Sequence, residues 1–284
     1  MSKLPVITEG ASKEDFFEEA IQHPGWIAAM QEELAAIHKN NTWGLVVLPL
    51  GKVPISSRWV YKVKPTADVD RLKARLVARG NEQIYGIDFN NTFAPMVKWA
   101  TLRTVTAIAA ALQWEIHHMD VVTAFLNGKV KEELYMLQLP GFLKSRSEDL
   151  VCRLNNSLYG LHQSPRAWYE TIDTFLRNLG WKRSKLDHNM YDLREGKEVT
   201  IIIVYVDDLK IVGSNVINIA AIKEKLKHHF RMKDLGLIKR YLGVEYICTP
   251  EGITMRQRDY CIQVLKEFDL FDCKPTVSPL PEAV

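Results

Sequence analysis

Six consecutive apolar or aromatic residues, Ile201 to Val206, lead into two adjacent aspartates in the stretch TIIIVYVDDLKIVGS (200–214), and a second short apolar run follows. A short run of β-branched residues with little polar alternation fits a strand covered on both faces. Asp207 and Asp208 then fall at a turn between two buried strands. A carboxylate taken out of water is costly unless something positive meets it. The segment therefore asks for a hairpin whose body lies in a core and whose tip faces a cleft, with a basic group or a metal ion nearby. Asp is also a favoured turn residue, so a plain hairpin turn explains the pair on its own.

The chain has 284 residues, 47% hydrophobic and 25% charged. That is enough for one large domain or two ordinary ones with a sizeable core. No apolar run approaches the roughly eighteen residues of a membrane span. The start, MSKLPVITEGASKEDFFEEA, lacks the apolar region of a secretory signal. Cys152, Cys248, Cys261 and Cys273 are far apart and form no CxxC, which favours buried reduced thiols over disulfides or a zinc site.

Net charge is only +3 but unevenly spread. Residues 1–36 hold seven acidic and two basic side chains, 52–80 eight basic and two acidic, and 223–240 seven basic and two acidic. The two basic blocks suit a polyanion, and they also suit solvated lysines on exposed strands and helices.

Along the chain, EDFFEEAIQHPGWIAAMQEELAAIHKN reads as two helices. Pro24 lies near the start of the second, where its missing N–H costs little, and Trp26, Met30, Leu34 and Ile37 form one stripe. TWGLVVLP, SSRWVYKVKP and RLKARLVARG read as strands, the last alternating basic residues with Leu72, Ala74, Leu76 and Ala78. TLRTVTAIAAALQW is an apolar helix expected to pack on a sheet. WEIHHMDVVTAFLNG is a strand running into a turn, with Asp120 near its end. SPRAWYETIDTFLRNLG is a helix with Ser164 as N-cap, Pro165 in the first turn and Gly180 at C′. Two hairpins are expected, turning at Glu195–Lys197 and near Pro250–Gly252, with an amphipathic helix, NVINIAAIKEKLKHHF, between them. RDYCIQVLKEFDL is a short helix before a Pro-rich tail. Helices mixed with hairpins, without regular βαβ alternation, indicate an α+β fold.

Asp120, Asp207 and Asp208 come from two strand ends and can make an oxygen cage. Repulsion within it raises carboxylate pKa values unless cations sit between them. Carboxylate oxygens suit Mg²⁺ or Mn²⁺, and two such ions roughly 3.5–4 Å apart serve in-line displacement at phosphorus. The adjacent pairs His117–His118 and His228–His229 read as structural or surface residues, because neighbours on a strand point to opposite faces.

YVDD (205–208) between apolar strands resembles the catalytic hairpin of reverse transcriptases. MDVVTAFLNG (119–128), LYGLHQSPRAWY (158–169), KARLVARG (73–80), IDFNNTFAPMVK (87–98), MKDLG (232–236) and YLGVEY (241–246) extend the likeness. Their order and spacing are similar to those of the copia-type retrotransposon reverse transcriptases over roughly residues 20–280. The resemblance implies a right-hand polymerase with an antiparallel palm sheet backed by helices, fingers at about 40–115 and palm at about 116–260. Residues 1–22 would be an N-terminal extension, 23–280 the fingers and palm core, and 261–284 the start of a mostly missing thumb in a truncated copy.

The same resemblance implies that the primer 3′-hydroxyl attacks a dNTP on an RNA or DNA template, with two Mg²⁺ or Mn²⁺ ions held by Asp120, Asp207, Asp208 and the backbone of Val121. It implies nucleotide contacts from Lys73, Arg75, Thr123, Ala124, Phe125, Tyr159 and Gly160, with Lys62 a further candidate, and a primer grip at Leu242–Gly243. Phe125 would act as a steric gate against the 2′-hydroxyl; a plain core aromatic also fits. Val122, His162 and Lys210 depart from the family, which usually has lysine, lysine and an apolar residue there. Partners implied are the template–primer, dNTPs and, in a full-length parent, RNase H and integrase segments. Two other readings stay open: a catalytically silent remnant that at most binds nucleic acid, and a metal-dependent nuclease, which lacks an accompanying His or Glu beside the aspartates.

Overall fold

The structure is a computed structural model that describes residues 15–64, 71–139, 141–142 and 149–274. Two helices open it, α1 (Asp15–Ala20) and α2 (Pro24–Lys39), followed by strands β1 (Trp43–Val47), β2 (Ser57–Lys64) and β3 (Arg71–Ala78). Next come α3 (Trp99–Leu112), β4 (Glu115–Val121), β5 (Tyr135–Met136), β6 (Leu150–Leu154), α4 (Ser164–Asn178) and β7 (Lys182–Arg183). The remainder is β8 (Met190–Glu195), β9 (Glu198–Tyr205), β10 (Asp208–Gly213), α5 (Val216–His229), β11 (Met232–Leu237), β12 (Arg240–Tyr241), β13 (Val244–Thr249), β14 (Gly252–Arg256) and α6 (Arg258–Glu267). The mixture of helices and antiparallel pairs is the expected α+β class. No helix of the described residues is long and apolar enough to cross a membrane.

The chain divides into two compact units, one of residues up to Met96 with Val121–Arg183, the other of Val97–Asp120 with residues from Ser184 on. In the first, β2 and β3 form a hairpin with Trp59 opposite Leu76 and Lys62 opposite Lys73, and β1, β6 and β5 form a separate antiparallel sheet. Helix α2 starts at Pro24 behind His23, whose Nδ1 accepts from Gly25 N at 3.1 Å. It buries Trp26, Met30, Glu33 and Ile37, while Leu34 is only half-buried, so a glutamate takes one place of the expected stripe. Ala74, Leu76 and Ala78 of β3 turn inward, which leaves Lys73 and Arg75 on the other face.

Helix α4 departs from the expected capping. Gln163 occupies the N-cap position, and the Ser164 hydroxyl donates to the Leu158 carbonyl instead of capping an N–H. Gly180 does hold the left-handed C′ conformation, with φ 88°. Cysteine burial also differs. All four thiols are free, but only Cys152 is buried, because Cys248 faces out from β13 and α6 carries no buried residue.

In the second unit the strands run in the order β11-β4-β10-β9-β8. Residues 200–204 of β9 are all buried, as a run apolar on both faces requires. One face carries Ile116, Ile201, Ile203 and Val212, which pack with Leu102, Val105 and Ala109 of α3 and with Tyr241, Val244 and Tyr246. Helix α5, capped by Asn215 accepting from Ile217 N at 2.8 Å, packs on β10 and β11.

Candidate active site

The hairpin tip is a two-residue turn. Tyr205 pairs with Asp208, and Val206 sits in the left-handed region at φ 54°. Two-residue hairpin loops demand positive φ, which a β-branched residue adopts at a cost of order 1–3 kcal/mol. On the other side β10 pairs with β4, and Asp208 lies directly opposite Asp120. Residues directly opposite share a face with Cβ atoms about 4.5–5.5 Å apart, so two carboxylates from distant parts of the sequence sit side by side. Asp207 is held in the turn beside them, and all three are half-buried.

Asp208 is anchored. Its Oδ1 lies 2.7 Å from His118 Nε2, and its backbone carbonyl accepts from the Tyr241 hydroxyl at 3.4 Å. The His118 ring meets the Tyr241 ring edge-on at 5.3 Å. Burial holds the Tyr241 hydroxyl well above the usual phenol range, with the negative Asp208 adding to it, so it stays a donor. His118, expected to be structural or surface, thus touches a candidate carboxylate. The signal was available: two residues from Asp120 on one strand means the same face. His117 does point the other way, to Glu115 at 2.7 Å and to Lys223, whose amine also reaches Asp234.

One step further down the face, Lys210 lies opposite His118 and is fully buried. Its amine is 2.5 Å from Thr106 Oγ1 and 4.8 Å from the Tyr246 ring centre. Burial pushes its pKa down to about 8. The charge expected on the hairpin is thus sunk into the core beneath the carboxylates.

Hard oxygens on adjacent strand ends suit Mg²⁺ or Mn²⁺. Among the described residues no three His, Cys, Asp or Glu side chains converge as a ready-made metal group. Mg²⁺ typically takes one or two protein carboxylates and completes its shell with water and substrate phosphates. In the same unit the turn Leu242–Gly243 between β12 and β13 has positive φ at both residues, 50° and 76°, with Tyr241 pairing Val244. A leucine held there is an outlier of the kind that marks functional turns.

The remaining candidates lie in the first unit and form a set of their own. Arg75 makes an ion pair with Glu33 of α2 at 2.9 Å, and its guanidinium lies 4.9 Å over the Tyr159 ring. Burial raises the Glu33 pKa, and Arg75 opposes that rise. Lys73 stands directly across from Lys62; like charges in that relation repel unless an anion joins them. Phe125 meets Tyr159 edge-on at 4.8 Å. Val121 and Ala124 bury their side chains, and Thr123 is left-handed at φ 59°, opening the turn of 124–127. Gly160, at φ 92°, has no room for a side chain: an added Cβ would lie 2.1 Å from the Ala78 carbonyl oxygen. Tyr159 in turn accepts from Ala78 N at 2.8 Å through its backbone. His162 stacks on Phe89 at 4.4 Å.

The family described as Reverse transcriptase (RNA-dependent DNA polymerase) matches residues 40–282. The chain is 40% identical over 271 residues to the retrovirus-related Pol polyprotein from transposon TNT 1-94 of Nicotiana tabacum, covering 93% of this chain and 20% of that protein. It is 36% identical over 265 residues to the corresponding polyprotein from transposon RE2 of Arabidopsis thaliana, covering 92% and 18%. It thus spans about a fifth of the length of these relatives. A structure of telomerase from Candida albicans with a fragment of telomeric RNA aligns with 86% of this chain and 55% of that one at 10% identity, with a TM-score of 0.39, too loose to carry weight. The family match over most of the chain and the two transposon relatives establish that it belongs to the reverse transcriptase (RNA-dependent DNA polymerase) family, as the reverse transcriptase domain of a copia-type Pol polyprotein.

Proposed function

We propose that this domain is an RNA-directed DNA polymerase that adds dNTPs to a primer 3′-hydroxyl, with Asp120, Asp207 and Asp208 as its catalytic carboxylates. The observation that carries the reading is the β4–β10 register, which sets Asp120 opposite Asp208 at the end of buried strands. Phosphoryl transfer needs positioning and charge neutralisation more than covalent chemistry, and rigid strand ends supply positioning. The three aspartates and the Val121 carbonyl would hold two Mg²⁺ or Mn²⁺ ions, which would offset the charge that develops at phosphorus. His118 fixes one oxygen of Asp208 and leaves the other to act. On this reading the second unit is palm and the β2–β3 hairpin belongs to the fingers.

The roles of the first unit follow from its chemistry. The Lys62–Lys73 pair and the half-exposed Arg75 would receive the triphosphate. The backbone of Thr123 and Ala124 would lie along it. Phe125, braced by Tyr159, would exclude a 2′-hydroxyl, the group that marks ribose. Tyr159 and Gly160 would support the templating base pair, and Leu242–Gly243 would hold the primer end. Template–primer and dNTPs are then the ligands, with RNase H and integrase segments as neighbours in a parent polyprotein.

The test is primer extension on poly(rA)/oligo(dT) with Mg²⁺ or Mn²⁺, with Asp120→Asn and Asp207→Asn beside the parent chain. Extension by the parent and a fall of several orders of magnitude in both variants, at unchanged melting temperature, is the expected result. Extension that survives either substitution removes that carboxylate from the site.

A further inference from the structure

A cleft of about 540 Å³ lies within the second unit, and none of the residues assigned above lines it. Its lining residues are Trp99 and Arg103 of α3, Val244 of β13, Met255 and Arg256 at the end of β14, and Gln257. Val244 is buried and Met255 half-buried, which makes an apolar floor, while Trp99, Arg103, Arg256 and Gln257 stand exposed around it. Among the described residues no carboxylate belongs to the lining. Arg256 is braced by Glu245 at 3.0 Å. Arg103 has no hydrogen-bond or ion-pair partner among the described residues. Trp99 keeps 47% of its surface in solvent, although a large aromatic is normally covered.

These features select a ligand class. A free guanidinium calls for an anion and is built for phosphate oxygens. An exposed indole beside it calls for a flat ring, since every base has a π-face to stack. The volume lies within the range of about 300–1,000 Å³ typical of ligand sites. A phosphate joined to a base satisfies both walls and the apolar floor at once. Val244 directly follows Gly243, the residue assigned above to the primer end, so a strand held at that turn continues beside the cleft.

We propose that this cleft binds one phosphodiester and its base in a strand of the template–primer, with Arg103 on the phosphate and Trp99 stacked on the base. The choice of a strand over a free nucleotide rests on the polymerase reading.

The experiment is fluorescence anisotropy of a labelled primer–template with the full chain, across a series of salt concentrations, for the parent, Arg103→Gln and Trp99→Ala. Unlabelled dTTP serves as competitor, and a melting curve is taken for each variant. Arg103→Gln should weaken binding and lower the slope of log affinity against log salt by about one, the loss of one phosphate contact. Trp99→Ala should weaken binding roughly tenfold. Wild-type affinity and slope in both variants, at wild-type melting temperature, overturns the proposal. So does weakened dTTP competition with duplex binding unchanged, which makes the cleft a mononucleotide site. If Trp99→Ala does not fold, the exposed Arg103 variant carries the test alone. Binding needs no turnover: a parent chain that extends primers while both variants bind normally refutes the cleft alone, and one that never extends while both variants bind weakly refutes the polymerase reading alone.

Discussion

Replacing Lys210 with methionine should stabilise this fold. The side chain is fully buried in β10, and its amine has the Thr106 hydroxyl and the Tyr246 ring as partners. Burial lowers its pKa from 10.5 to about 8. That gap corresponds to roughly 3 kcal/mol by which the charged amine prefers the unfolded chain. Methionine loses the hydrogen bond and the ring contact but buries a chain of similar length without charge, and exchanging buried ionic groups for apolar ones of like volume is often stabilising. Thr106 is not orphaned, since its hydroxyl still donates to the Leu102 carbonyl at 2.7 Å. A net gain of about 2 kcal/mol at pH 7 follows, or roughly 4–8 °C in melting temperature. The pH dependence has a definite sign. The folded pKa lies below the unfolded one, so between about pH 8 and 10.5 the unfolded chain binds the extra proton and the parent gains stability as pH rises. The variant lacks that gain, and its advantage should shrink across the same window. Melting curves by circular dichroism at pH 7 and at about pH 9.5 measure both effects. A variant that melts at or below the parent at pH 7, or an advantage that widens with pH, refutes the reasoning.

Arg75→Gln leaves Glu33 buried without its cation and should cost about 3 kcal/mol in urea unfolding at pH 7. Because the Glu33 pKa is already raised, its charged form opposes folding above that pKa, so the deficit should narrow on acidification; a constant deficit would place the loss elsewhere. Phe125→Val should lower the ratio of kcat/KM for dCTP over rCTP roughly tenfold or more, whereas equal losses on both substrates would make Phe125 a packing residue. His118→Leu should reduce extension roughly 10- to 100-fold and raise the metal concentration for half-maximal rate, with partial rescue by His118→Gln; an unchanged metal dependence would limit His118 to packing.

What could be read from sequence was what repeats locally. The α2 start at Pro24, the hairpin ending in Asp207–Asp208 and the Gly180 terminus rest on neighbours a few residues apart, and they stand in the structure as expected. Gly160 was expected only at the nucleotide, and the close packing of Ala78 against it was not foreseen. Long-range pairing was not legible: nothing in TWGLVV announces Leu150–Leu154 as its partner, and β5 and β6 were missed. Capping failed at Ser164 because the helix begins one residue earlier than expected, which puts Gln163 at the N-cap and Ser164 inside the first turn, its hydroxyl donating to Leu158. The charges were hardest. The resemblance offers Arg75 to phosphates, and nothing local announces that Glu33 on another element pairs with it. Lys210 was seen as an anomaly, but not that the core would swallow it.

The pairing of Asp208 with Asp120 bears on how elements of this kind decay and diverge. Because the two residues are levelled by ladder hydrogen bonds, loops in the connection between β4 and β9 can change length without altering the register of one aspartate against the other. A single inserted or deleted codon inside β4, β9 or β10 does the opposite. It turns every following side chain of that strand to the other face and takes one aspartate away from its partner. Inactivating in-frame lesions in genomic copies should therefore concentrate in Glu115–Val121 and Glu198–Gly213, while length variation in connecting loops that carry none of the assigned residues should leave the aspartate pairing in place.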